Sequence, residues 1–202
     1  TYGDWSSDVC SSDLLDVTDL DSIKSAVAHA ETEVGSIDIL VNNAGITGGN
    51  GTTWDLDPEV WKRVIDVNLM APYYTCRHVT PHMVARGWGR IVNIASVAGL
   101  RVLSQIGVYS MSKAAVIHMT RAMALEWGRY GINVNALCPG YIDTEINHHH
   151  WETEAGQKLV QMLPRKRLGE PKDLDAALMM LCANESRFIN GAVLTADDGF
   201  GV

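Results

Sequence analysis

The chain of 202 residues is 47% hydrophobic and 20% charged, the balance of a folded globular protein rather than a disordered one. Its formal net charge of -8 is spread over interspersed acidic and basic residues with no basic stripe, which argues against nucleic acid and anionic membrane as partners. Apolar runs such as Ile37 to Val41 are far too short to span a bilayer, and the cysteines at 10, 76, 138 and 182 form no C-x-x-C pair, so reduced thiols in a cytoplasm are a simpler reading than a disulfide framework or zinc site.

The first thirteen residues, TYGDWSSDVCSSD, differ in texture from the rest: Ser-Ser-Asp occurs twice, without helical or strand periodicity. They read as a segment foreign to the domain, or else as a disordered tail, and carry no basic-then-apolar leader pattern. Leu14 to Val17 reads as the end of a strand. Thr18 then caps a helix, with Asp21 in a capping-box-like position, and Leu20, Ile23, Val27, Ala30 and Val34 form its apolar face until Gly35 stops it. Ile37 to Val41 is an apolar run broken only by Asp38, as in a parallel strand covered on both faces, and it ends in Asn42-Asn43-Ala44-Gly45. Residues 58–86 are helical in texture, 90–95 form a strand, 109–129 a long helix, and 132–138 a strand closed by Pro139-Gly140. A helical stretch over 171–183 and a last strand over 192–196 complete the series. Strands alternating with helices of this length predict an α/β fold built on a doubly wound parallel sheet. No repeat or linker divides residues 14–202, which read as a single domain.

Tyr109-Ser110-Met111-Ser112-Lys113 places a phenol and an ammonium one helical turn apart on one face. A phenol titrates near pKa ~10, and a neighbouring ammonium favours the phenolate, drawing proton exchange toward neutral pH. Alone, this spacing is usually a surface pair. Here Ser96 lies at the carboxyl end of the strand before it, and Asn68 lies in Asp66-Val67-Asn68-Leu69. The 42–45 cluster and Pro139-Gly140-Tyr141-Ile142-Asp143-Thr144 also follow strands. Ligands of open α/β sheets bind outside the carboxyl ends of the strands, where all of these clusters fall. Taken singly, Ser96 could be a turn residue, Asn68 a helix cap, Asp16 the start of the turn into the Thr18 cap, and Pro139-Gly140 a generic strand-ending turn.

From about Leu14 onward the chain resembles the classical short-chain dehydrogenase/reductase family, with its N-N-A-G, Asn, Ser, Y-x-x-x-K and P-G-x-x-x-T motifs in order. The resemblance implies a Rossmann-like sheet and an NAD- or NADP-dependent oxidoreductase that interconverts a secondary alcohol and a ketone. It implies Tyr109 as general acid/base, with Lys113 lowering its pKa and holding the nicotinamide ribose. Ser96 would polarise the substrate oxygen, and Asn68 would hold a water that relays protons. It also implies that Asp16 and Val17 contact the adenine, that Asn43, Ala44 and Gly45 admit the adenosine ribose, and that Pro139, Gly140, Ile142 and Thr144 lie at the nicotinamide. Val97, Gln105, Tyr141, His149 and Trp151 would shape the substrate pocket. The run His148-His149-His150 suits a metal poorly, since adjacent residues rarely all reach one ion. By the resemblance it falls in a substrate-covering lid from Ile146 to Trp151. Family-like packing of helices 58–86 and 109–129 implies a homodimer or homotetramer.

One family element is absent from the sequence. No glycine-rich turn precedes Asp16, and Gly3 is the sole glycine before Gly35. A first βαβ unit of roughly 30 residues is therefore missing, and with it the strand whose end selects NAD or NADP. The expectation is a strand 37–41 with an open edge, weak NAD(P)H binding and little turnover. A non-catalytic fragment acting through self-association is the competing reading.

Overall fold

A computed structural model of the protein describes residues 15–145 and 147–202. The leading segment 1–13, Leu14 at the start of the expected first strand, and Ile146 at the start of the expected lid lie outside the described residues.

Residues 15–17 form no strand. The Asp16 carboxylate instead accepts bonds from the Thr18 N–H (2.9 Å) and hydroxyl (2.7 Å), bending the chain into a local turn. With Thr18 so engaged, the cap moves one residue on. Asp19, not Thr18, caps helix α1 (Leu20–His29), its carboxylate accepting from the Asp21 N–H. A wider turn over Ala30–Val34 extends the helix to Gly35. Strand β1 (Ile39–Asn42) starts two residues later than its apolar run. The Ile37 N–H is spent on Glu31 Oε1 and its carbonyl on Arg86 Nη2, which leaves that residue nothing for a ladder.

Residues 58–86 form a continuous helical rod in two segments, α2 (Pro58–Ile65) and α3 (Ala71–Arg86). They are joined by a π-helical turn, Asp66–Met70, in which the Ala71 N–H reaches back to the Asp66 carbonyl. Asp57 caps the start, and Gly87, with φ 72°, ends it in the left-handed conformation. Strand β2 (Gly89–Ile94), helix α4 (Gly107–Trp127) and strand β3 (Ile132–Pro139) follow. After them come two short helices, α5 (His148–Glu152) and α6 (Glu154–Met162), then helix α7 (Asp175–Cys182) and strand β4 (Val193–Ala196).

The sheet is parallel throughout, in the order β1-β2-β3-β4, with Ile39 opposite Arg90, Gly89 opposite Ile132 and Ala136 opposite Val193. Helices cover both faces. Cys76, Val79 and Met83 from α3, and Met123 and Ala124 from α4, pack on Ile91, Ile132 and Val134. Leu181 of α7 packs on Val92 and Leu137 from the other side. β2 and β3 are buried on both faces, so apolar residues fall on both sides of each strand, interrupted by Arg90, Asn93, Asn133 and Asn135, which are buried with hydrogen-bond partners. One polar chain crosses the first of these layers. Asn42 Nδ2 donates to Asn93 Oδ1 (2.7 Å), Asn93 Nδ2 donates to Thr120 Oγ1 (2.9 Å), and Thr75 Oγ1 donates to Asn42 Oδ1 (2.5 Å). These bonds tie β1, β2, α3 and α4 together at one level, satisfying groups whose burial would otherwise be costly. At the margin, β1 meets the expectation of an open edge. Among the described residues no strand pairs with its outer side, and Ile39 and Val41 are 45% and 36% exposed.

Candidate active site

Every strand runs in the same direction, so the segments leaving their carboxyl ends gather on one side of the sheet. Ser96 leaves β2 in an extended conformation and opens a short 3-10 turn, Val97–Gly99, its hydroxyl accepting from the Ala98 N–H at 3.1 Å. That turn lies against α4 so closely that a Cβ on Gly99 would stand 2.7 Å from the Lys113 carbonyl carbon. Glycine is needed there, and the contact brings Ser96 to Tyr109. The helix itself starts at Gly107, two residues ahead of the expected position, so both Tyr109 and Lys113 are on its first turns.

Lys113 is only 3% exposed, and its ammonium donates to the Ile94 carbonyl at 2.7 Å, 5.7 Å from the centre of the Tyr109 ring. Burial pulls the Lys113 pKa down to about 8, and among the described residues no carboxylate pairs with it. The Tyr109 phenol moves the other way. Burial raises it, the nearby Ser96 hydroxyl opposes that rise, and the Cys138 thiol adds to it. The expected lowering by Lys113 is not found, and burial of the phenol sets the direction instead. Tyr109 is a protonated donor at neutral pH.

Asn68, 1% exposed, sits in the π-helical turn, which aims it at the loop after β1. Its Oδ1 accepts from the Ile46 N–H (2.8 Å), and its Nδ2 donates to the Ile46 carbonyl (2.9 Å) and to Ser112 Oγ (3.0 Å). The Ser112 hydroxyl donates in turn to the Tyr109 carbonyl at 2.7 Å. Asn68 therefore links the β1 loop to the helix that carries Tyr109. With both N–H donors committed, a water could be held only through the remaining lone pair on Oδ1. A Cβ on Gly45 would lie 3.3 Å from Lys113 Nζ and 3.5 Å from Asn68 Oδ1, so a glycine at this point keeps the space before the ammonium open.

The other expected residues divide into two groups. Asn43, Ala44 and Gly45 follow β1, while Pro139, Gly140, Ile142 and Thr144 follow β3, where the Gly140 N–H donates to the Ala196 carbonyl at the end of β4. All of these lie on the same side of the sheet as the four central residues. Asp16 and Val17 are not joined to the group by any bond. The hydrogen bonds of Asp16 are local, to Thr18, Asp19 and Ser22, and those from Thr18 hold its carboxyl below the usual range.

Around the mouth, Trp151 is buried and meets Tyr141 edge-on at 5.8 Å, and Tyr141 meets Phe200 at 5.1 Å. His149 faces solvent and approaches Glu152, contrary to its expected place in the pocket wall, since its helix turns Trp151 inward instead. Gln105 holds a left-handed backbone, with φ 68°. A cavity of about 270 Å³ opens beside Gly140, Tyr141 and Ile142, bounded also by Arg167 and Phe200. Sequence reasoning passed over Ser112, Ile46 and Asn147. Ser112 lies inside the Y-x-x-x-K motif three residues after Tyr109, a spacing at which serine bonds back to the helix carbonyl, and that signal was readable. The parts played by Ile46 and Asn147 depend on tertiary placement.

An open parallel sheet with a Ser–Tyr–Lys cluster at its carboxyl ends is the architecture of a nucleotide-dependent α/β enzyme. A family model described as Enoyl-(Acyl carrier protein) reductase matches residues 8–201. The chain is 39% identical over 184 residues to nodulation protein G of Azospirillum brasilense, covering 91% of this chain and 74% of that one. It is 36% identical over 190 residues to gluconate 5-dehydrogenase of Gluconobacter oxydans, covering 94% and 74%. A crystal structure of a gluconate 5-dehydrogenase from Burkholderia cenocepacia J2315, in complex with NADP and tartrate, superposes with a TM-score of 0.88 at 36% identity, covering 92% of this chain and 73% of that one. The chain belongs to the short-chain dehydrogenase/reductase family, and it is an NAD(P)-dependent oxidoreductase of that family. Among the described residues, no helix is long and apolar enough to cross a membrane.

The donor set fits such a cofactor. Lys113 is a buried ammonium facing a space that glycine keeps open, with a phenol beside it, as a ribose diol requires.

Proposed function

We propose that the chain reduces a small ketone to a secondary alcohol, and runs the reverse reaction, with Tyr109 as general acid/base. The observation that carries this reading is the meeting of the Ser96 hydroxyl, the Tyr109 phenol and the Lys113 ammonium at the carboxyl ends of the strands. The cofactor supplies the hydride when bound. Every other task falls to the protein. Ser96 and Tyr109 each donate a hydrogen bond to the carbonyl oxygen, so negative charge growing there meets two placed donors. Tyr109 then gives up its proton to that oxygen, and in alcohol oxidation takes it back. A phenol kept protonated by burial is better suited to the reducing direction at neutral pH.

Lys113 would hold the nicotinamide ribose hydroxyls and stabilise the tyrosinate left after proton transfer. Asn68 holds the β1 loop against α4 and keeps an Oδ1 lone pair for a relay water. Asn43, Ala44 and Gly45 would border the adenosine ribose, while Pro139, Gly140, Ile142 and Thr144 would border the nicotinamide, with Thr144 facing the carboxamide. Family-like packing of α3 and α4 would make the chain a homodimer or homotetramer. Mixing the protein with NADH or NADPH and a panel of cyclic ketones, keto acids and acyl thioesters tests the reading. Ketone-dependent loss of the reduced cofactor, abolished by Tyr109→Phe, is the expected result. Turnover that survives Tyr109→Phe would overturn it.

A further inference from the structure

Asn147 connects the loop after β3 to helix α5, and its side chain makes four hydrogen bonds on that link. Oδ1 accepts from the Thr144 N–H (2.8 Å), the Thr144 hydroxyl (3.1 Å) and the Trp151 indole N–H (3.1 Å). Nδ2 donates to the Ile142 carbonyl at 2.8 Å. One amide thus fixes two residues of the strand-end loop and the buried tryptophan of α5. The Gln157 side chain also donates to the Trp151 carbonyl, at 2.6 Å, tying α6 to the same point.

The bond from Thr144 has a chemical consequence. A threonine hydroxyl carries one proton and two lone pairs. Its proton is directed at Asn147 Oδ1, so toward any ligand Thr144 Oγ1 presents lone pairs alone. An acceptor at that place suits the N–H of a primary carboxamide and does not suit a carbonyl oxygen.

We propose that Asn147 is a positioning residue, which sets the Thr144 hydroxyl as an acceptor for the carboxamide N–H of the nicotinamide ring and holds that setting in register with helix α5 through Trp151. The inference rests on the reading above that Thr144 faces the carboxamide. It identifies the group selected, an amide N–H, and the side chain that makes the selection.

The test compares NADH with its reduced 3-acetylpyridine analogue, in which a methyl ketone replaces the carboxamide and the N–H is lost. Saturation-transfer NMR detects affinities down to the millimolar range and requires no turnover. Wild-type protein should bind NADH about tenfold tighter than the analogue, the effect of one hydrogen bond to a buried acceptor. Thr144→Val should bring that ratio close to one, and Asn147→Ala should do the same without touching the ligand. Combining the two substitutions should reduce it no further. Asn147→Ser, which keeps a hydroxyl at the head of α5, is expected to match Asn147→Ala and guards against a variant that does not fold. If the Asn147 variants weaken both ligands equally and leave the ratio intact, the residue is only a structural cap and the inference fails alone. If wild-type protein shows no preference for NADH, the placement of Thr144 fails and the inference with it.

Discussion

The centre of the sheet and its β1 edge are built from similar residues and put to opposite uses. In β2 and β3 all apolar side chains but the partly exposed Ile94 and Pro139 at the strand ends are buried, and the polar ones, Asn93 above all, are joined to partners on neighbouring elements. In β1, Ile39 and Val41 carry the same kind of side chain to solvent, and only Asn42 is drawn into the shared polar chain. Reactive groups lie where the scaffold is most constrained. Ser96 follows β2, and Tyr109 and Lys113 stand on the helix that packs across β2 and β3, so each inherits the rigidity of the centre.

The largest effect that would sharpen this contrast is chemical. Tyr109→Phe should lower kcat for ketone reduction by about 10³-fold while the melting temperature stays near that of the wild type. A variant that keeps most of its turnover would remove Tyr109 from the chemistry. Next comes the polar chain. Asn93→Ala leaves the Asn42 amide and the Thr120 hydroxyl without their shared partner in the core, and should cost about 2–3 kcal/mol in urea denaturation. A loss no larger than that of a surface substitution would show that the centre does not depend on it.

Lys113→Met should separate stability from function. The buried ammonium has its pKa lowered from 10.5 to about 8, so at neutral pH the native state carries a charge that the unfolded chain holds more comfortably. Stability due to this group is absent below about pH 8 and is recovered as the pH rises toward 10.5, where the native state has already released its proton. The substitution should therefore raise stability at pH 7 by up to about 3 kcal/mol and abolish turnover, with the stability gain shrinking in alkaline buffer. A variant less stable than wild type at every pH would contradict the sign. The smallest effect belongs to the edge. Val41→Lys should change unfolding free energy by no more than about 0.5 kcal/mol and reduce concentration-dependent light scattering. Unchanged scattering would mean that the exposed strand does not drive association.

The order of elements was plain in the sequence because short strand segments rich in apolar residues, such as Ile91-Val92 and Ile132 to Cys138, alternate with long helical ones. Tyr109, Lys113 and Ser96 were readable for a related reason: motif spacing and strand ends are properties of the chain itself. Element starts were less legible. Whether Ile37 joins β1 depends on Glu31 and Arg86, which reach it from other parts of the fold. The Thr18 cap was misplaced because the Asp16 turn competes for the same groups. The electrostatics of Tyr109 were hidden as well. A nearby lysine is visible in the sequence, but the burial that raises the phenol is a property of the assembled core. Asn147 could not be recognised without knowing that Trp151 turns inward to share its oxygen.

The π-helical turn at Asp66–Met70 acts as a phase shifter. One residue more than a regular turn needs is held there, and each residue of an α-helix advances its neighbours by about 100°. Side chains before and after the turn therefore follow two different angular frames. α2 addresses α4, while α3, after the offset, addresses β1 and β2 with Cys76, Val79 and Met83. Asn68 stands at the join. Removing a single residue between 66 and 70 would restore a regular helix and bring the two frames into line. That correction would rotate the apolar stripe of α3 off the sheet and turn Asn68 away from Ile46, so a more ideal helix would give a poorer enzyme.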